Sequence, residues 1–186
     1  MYNIRGFFAA DLTEDAVNKL SLLQKNIKNK IYPVKWVDPH NFHVTIKFLG
    51  EVSPERAIEI IKKSEQVFKG KTAFRLSFKG LGVFPNFKNP KVIWIAVHPE
   101  TESLVNIYNE LETELFKIGF SKEKRKFKAH MTLGRIKSNL KINLYDELQK
   151  FNNVEIKTCI NSISFIKSVL TPKGPVYTPL KTFTLK

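Results

Sequence analysis

Cysteine is nearly absent: Cys159 is the only one in 186 residues. Neither an intramolecular disulfide nor a paired-cysteine metal knuckle can be built from it, which points to an intracellular protein. Long apolar runs are missing too. The N-terminal stretch that ends in Phe7-Phe8 is too short for a secretory core and soon meets Asp11, and no segment approaches the ~20 apolar residues of a spanning helix. A soluble, cytoplasmic protein without a membrane partner is expected. Acidic residues are scarce, 17 Asp+Glu against 31 Lys+Arg, for a formal net charge of +14. That imbalance favours an anionic partner such as nucleic acid, though charge alone governs encounter and solubility. Apolar residues are plentiful at 42%, with 15 phenylalanines. Disorder is therefore excluded, and the length suits one domain, with room for two lobes.

Periodicity predicts the order of elements. Arg5 to Ala10 reads as a buried strand, and Thr13 as the cap of a helix with Val17, Leu20, Leu23 and Ile27 on one face. Asn41 to Leu49 reads as a strand closed by Gly50, and Ser53-Pro54 opens a second helix with Ala57, Ile60, Ile61, Ser64 and Val67 inward. Strands at Thr72 to Phe78 and Lys91 to Val97 are expected, joined by a loop over Gly80 to Phe87. A third helix should run from about Glu100 to Ile118 and end at Gly119. A strand near His130 to Ile136, a short helix near Tyr145 to Phe151 and strands near Ile163 to Leu170 and Val176 to Leu185 complete the chain. The late strands read as antiparallel hairpins, so the expected class is α+β and not a doubly wound sheet.

The chain also echoes itself. At an offset of 130 − 43 = 87 residues, Phe8-Ala9-Ala10 falls on Ile95-Ala96-Val97, Val17 and Leu20 fall on Leu104 and Ile107, and His43-Val44-Thr45 falls on His130-Met131-Thr132. Apolar matches alone are weak evidence, since any two β-α-β stretches give some. Two polar tripeptides aligned within apolar strands carry more weight. The expectation is one domain over residues 1–186 with a duplicated unit, about 4–49 and 91–136.

Strand geometry places His43, Thr45 and Lys47 on one face and His130 with Thr132 on another. Around a pseudo-twofold axis the two rows would share a cleft, with an imidazole on each side of a bound group. That arrangement suits in-line displacement at phosphorus, where one side loses a proton and the other gains one. Imidazoles with an ordinary pKa near 6.5 can do both near neutral pH, so no metal is required. The threonine hydroxyls could bond phosphate oxygens, and Lys47 or Arg135 could add charge. Arg135 lies five residues after His130 and so on the wrong face of a regular strand, unless a bulge at Gly134 re-aims it.

A single His-x-Thr in a strand is ordinary and usually structural; a matched pair in a basic protein is not. His40 makes a His-x-x-His spacing with His43, but Asp38-Pro39-His40-Asn41 reads as a turn, and no further ligand cluster accompanies it. His98, before Pro99, reads as a capping or packing residue. Two basic-aromatic stretches could hold RNA. Phe84-Pro85-Asn86-Phe87-Lys88-Asn89-Pro90-Lys91 would stack a base on an aromatic face such as Phe84, or simply pack as a hairpin. Lys122 to Lys128 places cations just ahead of His130, with Lys126 and Lys128 nearest, or is a solvated loop.

These residues resemble the two-histidine phosphoesterase superfamily, and within it the RNA 2′,3′-cyclic phosphodiesterases once named 2′-5′ RNA ligases. The resemblance spans essentially the whole chain. It is carried by His43-Val44-Thr45-Ile46-Lys47-Phe48-Leu49-Gly50, Gly82-Val83-Phe84-Pro85, His130-Met131-Thr132-Leu133-Gly134-Arg135 and the tail Leu170 to Tyr177. It implies a bilobal fold of two pseudo-symmetric antiparallel sheets with outer helices around a central cleft. It also implies hydrolysis of a terminal 2′,3′-cyclic phosphate on RNA to a 2′-phosphomonoester, with no cofactor and no metal. By that resemblance His43 is the proton donor, His130 the proton acceptor, and Thr45, Thr132 and Arg135 hold the phosphate. The implied partners are RNA ends bearing the cyclic phosphate, tRNA fragments among them, acted on by a monomer. Two alternatives stay open: 2′-5′ ligation, the reverse reaction in the same cleft, and a non-catalytic module that binds RNA ends.

Overall fold

The chain folds around two antiparallel sheets, described by a computed structural model over residues 4–138, 142–172 and 174–186. Lys173 of the Leu170 to Tyr177 tail lies outside the described residues. In the first sheet β1 (Ile4–Ala10) lies between β3 (Val44–Val52) and β8 (Ser162–Thr171), and β9 (Gly174–Thr184) pairs with β8. The second sheet runs in the order β2 (Val34–Trp36), β6 (His130–Ile136), β5 (Val92–Pro99), β4 (Phe74–Phe84), β7 (Glu155–Ile160). The class is α+β and the molecule bilobal, as expected. Strand β1 pairs with β3 as β5 pairs with β6, so the two His-x-Thr segments hold corresponding places in the two sheets.

Local chemistry sets the helix limits. Thr13 accepts the Ala16 N–H at 3.4 Å and opens α1 (Glu14–Lys28); Ser53 accepts the Arg56 N–H at 3.3 Å and opens α2 (Pro54–Phe68). Helix α3 (Ser103–Lys117) stops before Gly119, whose φ of +90° suits only a residue without Cβ. The short α4 (Leu144–Gln149) packs on β4.

The helices cross between the lobes. Helix α1 follows β1 of the first sheet yet packs on β7 of the second, whereas α3 follows β5 of the second yet packs on β3 of the first and on α2. One continuous core results, running from Phe8, Phe165 and Ile60 to Leu76, Ile95 and Leu111, all buried. The sheet faces turned away from these helices are the ones that carry the histidines.

Three details depart from the sequence reading. Strand β4 runs through Gly80, Leu81 and Gly82 to Phe84 instead of ending at Phe78. A register shift between Phe78 and Leu81 absorbs the Gly80 φ of +81°, and Leu81 and Val83 are buried on resumed pairing with β5. Asn41 belongs to a 3-10 turn, Pro39–Asn41, so β3 begins only at Val44. Strands β2 and β7 were not foreseen: β2 is three residues long, and β7 shows its alternation only through Ile156, Thr158 and Ile160.

Candidate active site

Two matched bulges aim the site. Along β3, Thr45 pairs with Ala9 and Lys47 with Phe8, so Ile46 is an extra residue and the alternation of faces restarts after it. Along β6, Thr132 pairs with Trp94 and Gly134 with Ile93, so Leu133 is the extra residue. Ile46 and Leu133 are again 133 − 46 = 87 residues apart. The consequences for the flanking charges are opposite. Arg135 is brought to the face of His130 and Thr132, through a bulge one residue ahead of the Gly134 that the sequence suggested. Lys47 is turned off the face of Thr45.

Lys47 therefore corrects the expectation that it lines the cleft. It is only 7% exposed and forms an ion pair with Glu112 of α3. Glu112 also accepts the Glu123 N–H at 2.8 Å, so one carboxylate ties β3 to the loop that leads to His130. The other bulge has its own support, from the helix that packs on its sheet. Buried Gln24 of α1 donates to the carbonyls of Leu133, at 2.9 Å, and Val37, at 2.8 Å. Gly134 gives the edge strand room: a Cβ there would lie 2.6 Å from Val34 and 3.0 Å from Trp36.

The two imidazoles are held alike. His43 Nδ1 lies 2.8 Å from the Asn41 carbonyl, and His130 Nδ1 lies 2.7 Å from the Lys128 carbonyl, each two residues upstream. A carbonyl only accepts, so each ring carries its proton on Nδ1 when neutral and offers Nε2 to the cleft. His43 Nε2 meets the Thr45 hydroxyl at 3.0 Å. Aromatic walls fix both rings: Phe7 at 4.9 Å and Tyr177 edge-on at 5.3 Å around His43, Phe84 edge-on at 5.0 Å and Trp94 at 6.2 Å around His130.

Burial holds the His43 pKa below the usual 6.5; the Asn41 carbonyl opposes the shift and the charge of His130 adds to it. The two rings thus sense each other across the cleft. Burial raises the Tyr177 pKa, opposed by Arg135 and then by Arg5. Tyr177, on the first sheet, is therefore near enough to Arg135, on the second, to feel its charge.

The LigT like phosphoesterase family model matches the chain twice, over residues 11–94 and 95–177. The chain belongs to this family. Proteins named RNA 2′,3′-cyclic phosphodiesterase are similar along its length. The one from Aquifex aeolicus is 38% identical, covering 97% of this chain and 95% of its own; the one from Methanothermobacter thermautotrophicus is 35% identical, covering 98% and 99%. Among solved structures, TT0787 of Thermus thermophilus superposes with a TM-score of 0.82 at 26% identity, over 97% of both chains. Escherichia coli LigT complexed with 3′-AMP shares the fold, with a TM-score of 0.77 at 22% identity over 99% of both chains.

In this LigT-like chain the cleft collects His43, Thr45, His130, Thr132, Arg135 and Phe84 from the residues singled out by sequence. Phe84 stacks on Trp94 at 5.0 Å, and Trp94 lies flat over Gly82, where a Cβ would come within 2.4 Å of its ring. Phe87 instead packs edge-on with Tyr145 at 5.2 Å, the plain packing role. Lys126 and Lys128 are exposed; Lys128 touches His130 through its carbonyl. His40 is an exposed turn residue, and His98 Nε2 meets the Lys79 carbonyl at 3.0 Å, so neither joins the cleft. Among the described residues no group of three or more His, Cys, Asp or Glu side chains could hold a metal ion. No helix among them is long and apolar enough to cross a membrane.

Sequence reasoning missed Asn41, Gln24, Glu112, Trp94 and Tyr177. Tyr177 stood in the tail that resembles the family, and Trp94 lay inside the predicted strand Lys91 to Val97, one residue before the echoed Ile95. Gln24 and Glu112 left no signal, because each reads as an ordinary polar residue on an amphipathic helix.

Proposed function

We propose that this LigT-like phosphoesterase hydrolyses the terminal 2′,3′-cyclic phosphate of RNA to a 2′-phosphomonoester by two-histidine acid/base catalysis, without a metal or cofactor. The observation that carries the reading is the pair of imidazoles, each with Nδ1 tied to a backbone carbonyl two residues upstream, which leaves Nε2 as the reactive nitrogen. His130 takes a proton from water as its oxygen attacks phosphorus; the P–O3′ bond breaks; His43 gives its proton to the departing 3′ oxygen. Thr45, Thr132 and Arg135 hold the non-bridging oxygens as charge develops on them. Phe84 offers the terminal base an aromatic wall.

The lowered pKa of His43 makes it, once protonated, a stronger acid than an ordinary imidazole. The reactive form has His43 charged and His130 neutral. Both histidines come from one chain, so a monomer suffices, and we infer a single two-lobed domain built from a duplicated unit. RNA ends bearing a cyclic phosphate are the substrate class, with tRNA fragments as natural candidates, and a cytoplasmic location suits them.

The test is turnover of an oligonucleotide ending in 2′,3′-cyclic phosphate, with products resolved by phosphorus NMR. A 2′-phosphomonoester is expected. Tight binding without turnover between about pH 5 and 8 would make the protein an RNA-end-binding module. Joining of half-molecules in preference to hydrolysis would make it a ligase.

A further inference from the structure

The cleft face of the first sheet continues past His43. On β1, Arg5, Phe7 and Ala9 alternate onto that face; Phe7 lies against the His43 ring, and Arg5 stands two residues away, about 6.7 Å along the strand. The irregular pairing of β3 that buries Lys47 leaves Phe48 opposite Phe7 and 51% exposed. The Arg5 guanidinium lies over the Phe48 ring, 5.1 Å from its centroid. Glu51 stands directly across from Arg5 on β3, yet among the described residues Arg5 forms no ion pair.

None of this serves the core. A half-exposed phenylalanine buries little apolar area, and an exposed guanidinium over it contributes little to stability. For a polyanion the pair is well made. A guanidinium held over a ring but free of any carboxylate keeps donors for a phosphate, and the exposed ring can take a base. The pair also lies on the opposite sheet from Phe84, so a nucleotide placed there would not compete with the terminal base. Phe7, which shares the face of Arg5, meets both the His43 and the Tyr177 rings, so the pair continues the wall of the cleft.

We propose that Arg5 and Phe48 form a subsite for the nucleotide that precedes the cyclic phosphate, with Arg5 on the intervening phosphodiester and Phe48 under the base. The proposal rests on the cyclic phosphodiesterase reading and adds to it the feature that distinguishes an RNA end from a free cyclic mononucleotide.

The experiment compares a nucleoside 2′,3′-cyclic phosphate with a dinucleotide ending in the same group, using wild type, Arg5→Ala and Phe48→Ala. Stacking and one phosphate contact predict that the dinucleotide KM rises roughly five- to a hundredfold relative to the mononucleotide KM in either variant. Each phosphate contact to a single strand contributes about 0.7 to the slope of log K against log salt, so Arg5→Ala should flatten the dinucleotide slope by about that amount. Phe48→Ala should leave the slope unchanged. Equal losses on both substrates would overturn the subsite and assign the residues to the fold. If wild type turns over neither substrate, the functional reading fails, and direct dinucleotide binding by calorimetry still decides the subsite: equal Kd for all three proteins refutes it.

Discussion

Replacing Lys47 with methionine keeps the length of the side chain but removes one half of a buried ion pair. Both partners are almost fully enclosed, 7% exposed at each side chain, so the Glu112 carboxylate would be left charged without its cation. Removing one partner of such a pair costs about 3–5 kcal/mol, because the remaining charge cannot recover its hydration. For a chain of this size that corresponds to a fall in Tm of roughly 6–20 °C. The double variant Lys47→Met, Glu112→Leu removes both charges and should regain most of the loss; the Glu123 N–H that Glu112 accepts belongs to an exposed residue that water can reach. Urea and thermal denaturation of the four proteins in this cycle give the coupling energy. Turnover is measured in parallel at a temperature where all four are folded. Since Lys47 faces α3 and not the cleft, kcat should stay within a few-fold of wild type. A Lys47→Met protein with unchanged stability and abolished turnover would refute the reasoning, because it would put the lysine on the substrate and remove the bulge argument.

Three further outcomes follow from the same geometry. By NMR, the His43 ring should titrate below 6.5. Its stabilising contribution is then complete above pH 6.5 and is lost as pH falls through 6.5 towards the lowered folded value, because the unfolded chain takes up the proton first. A midpoint at or above 6.5 would contradict the burial argument. Gly82→Ala should cost about 1–3 kcal/mol by overpacking, with a shift in Trp emission and a raised KM as Trp94 is pushed off its seat beside Phe84 and His130. Unchanged fluorescence and KM would dismiss Trp94 as part of the cleft wall. Arg135→Ala should lower kcat/KM by about 10²–10³ while changing stability by no more than about 0.5 kcal/mol, since the side chain is exposed. An activity near wild type would return Arg135 to the solvent.

Much of the fold was legible because it rests on local rules. Thr13, Ser53 and Gly119 each do at a helix end what their side chains, or lack of one, allow. The paired His-x-Thr strands could be read because two polar tripeptides recur at one offset. Lys47 and Arg135 could not be placed, because their faces depend on a single extra residue in each strand, Ile46 and Leu133, and nothing in an apolar run marks which residue is unpaired. The supports of those bulges were equally hidden. Gln24 and Glu112 become meaningful only when α1 and α3 cross to the opposite sheets, a tertiary fact that no local pattern carries. The +14 charge was visible from the start, but the cationic loop Lys122 to Lys128 is held near His130 by a carbonyl and by Phe127 stacked on Tyr108 at 4.3 Å, while its lysine side chains stay exposed.

Catalysis in this cleft rests on two imidazoles sharing one phosphate. The most direct measurement is single-turnover hydrolysis of an oligonucleotide 2′,3′-cyclic phosphate, in the presence of EDTA, by wild type, His43→Ala and His130→Ala, each checked for an intact fold by circular dichroism. Wild type should form the 2′-phosphomonoester, and both folded variants should lose turnover. Activity retained in either folded variant, or activity abolished by EDTA, would contradict two-histidine catalysis without a metal.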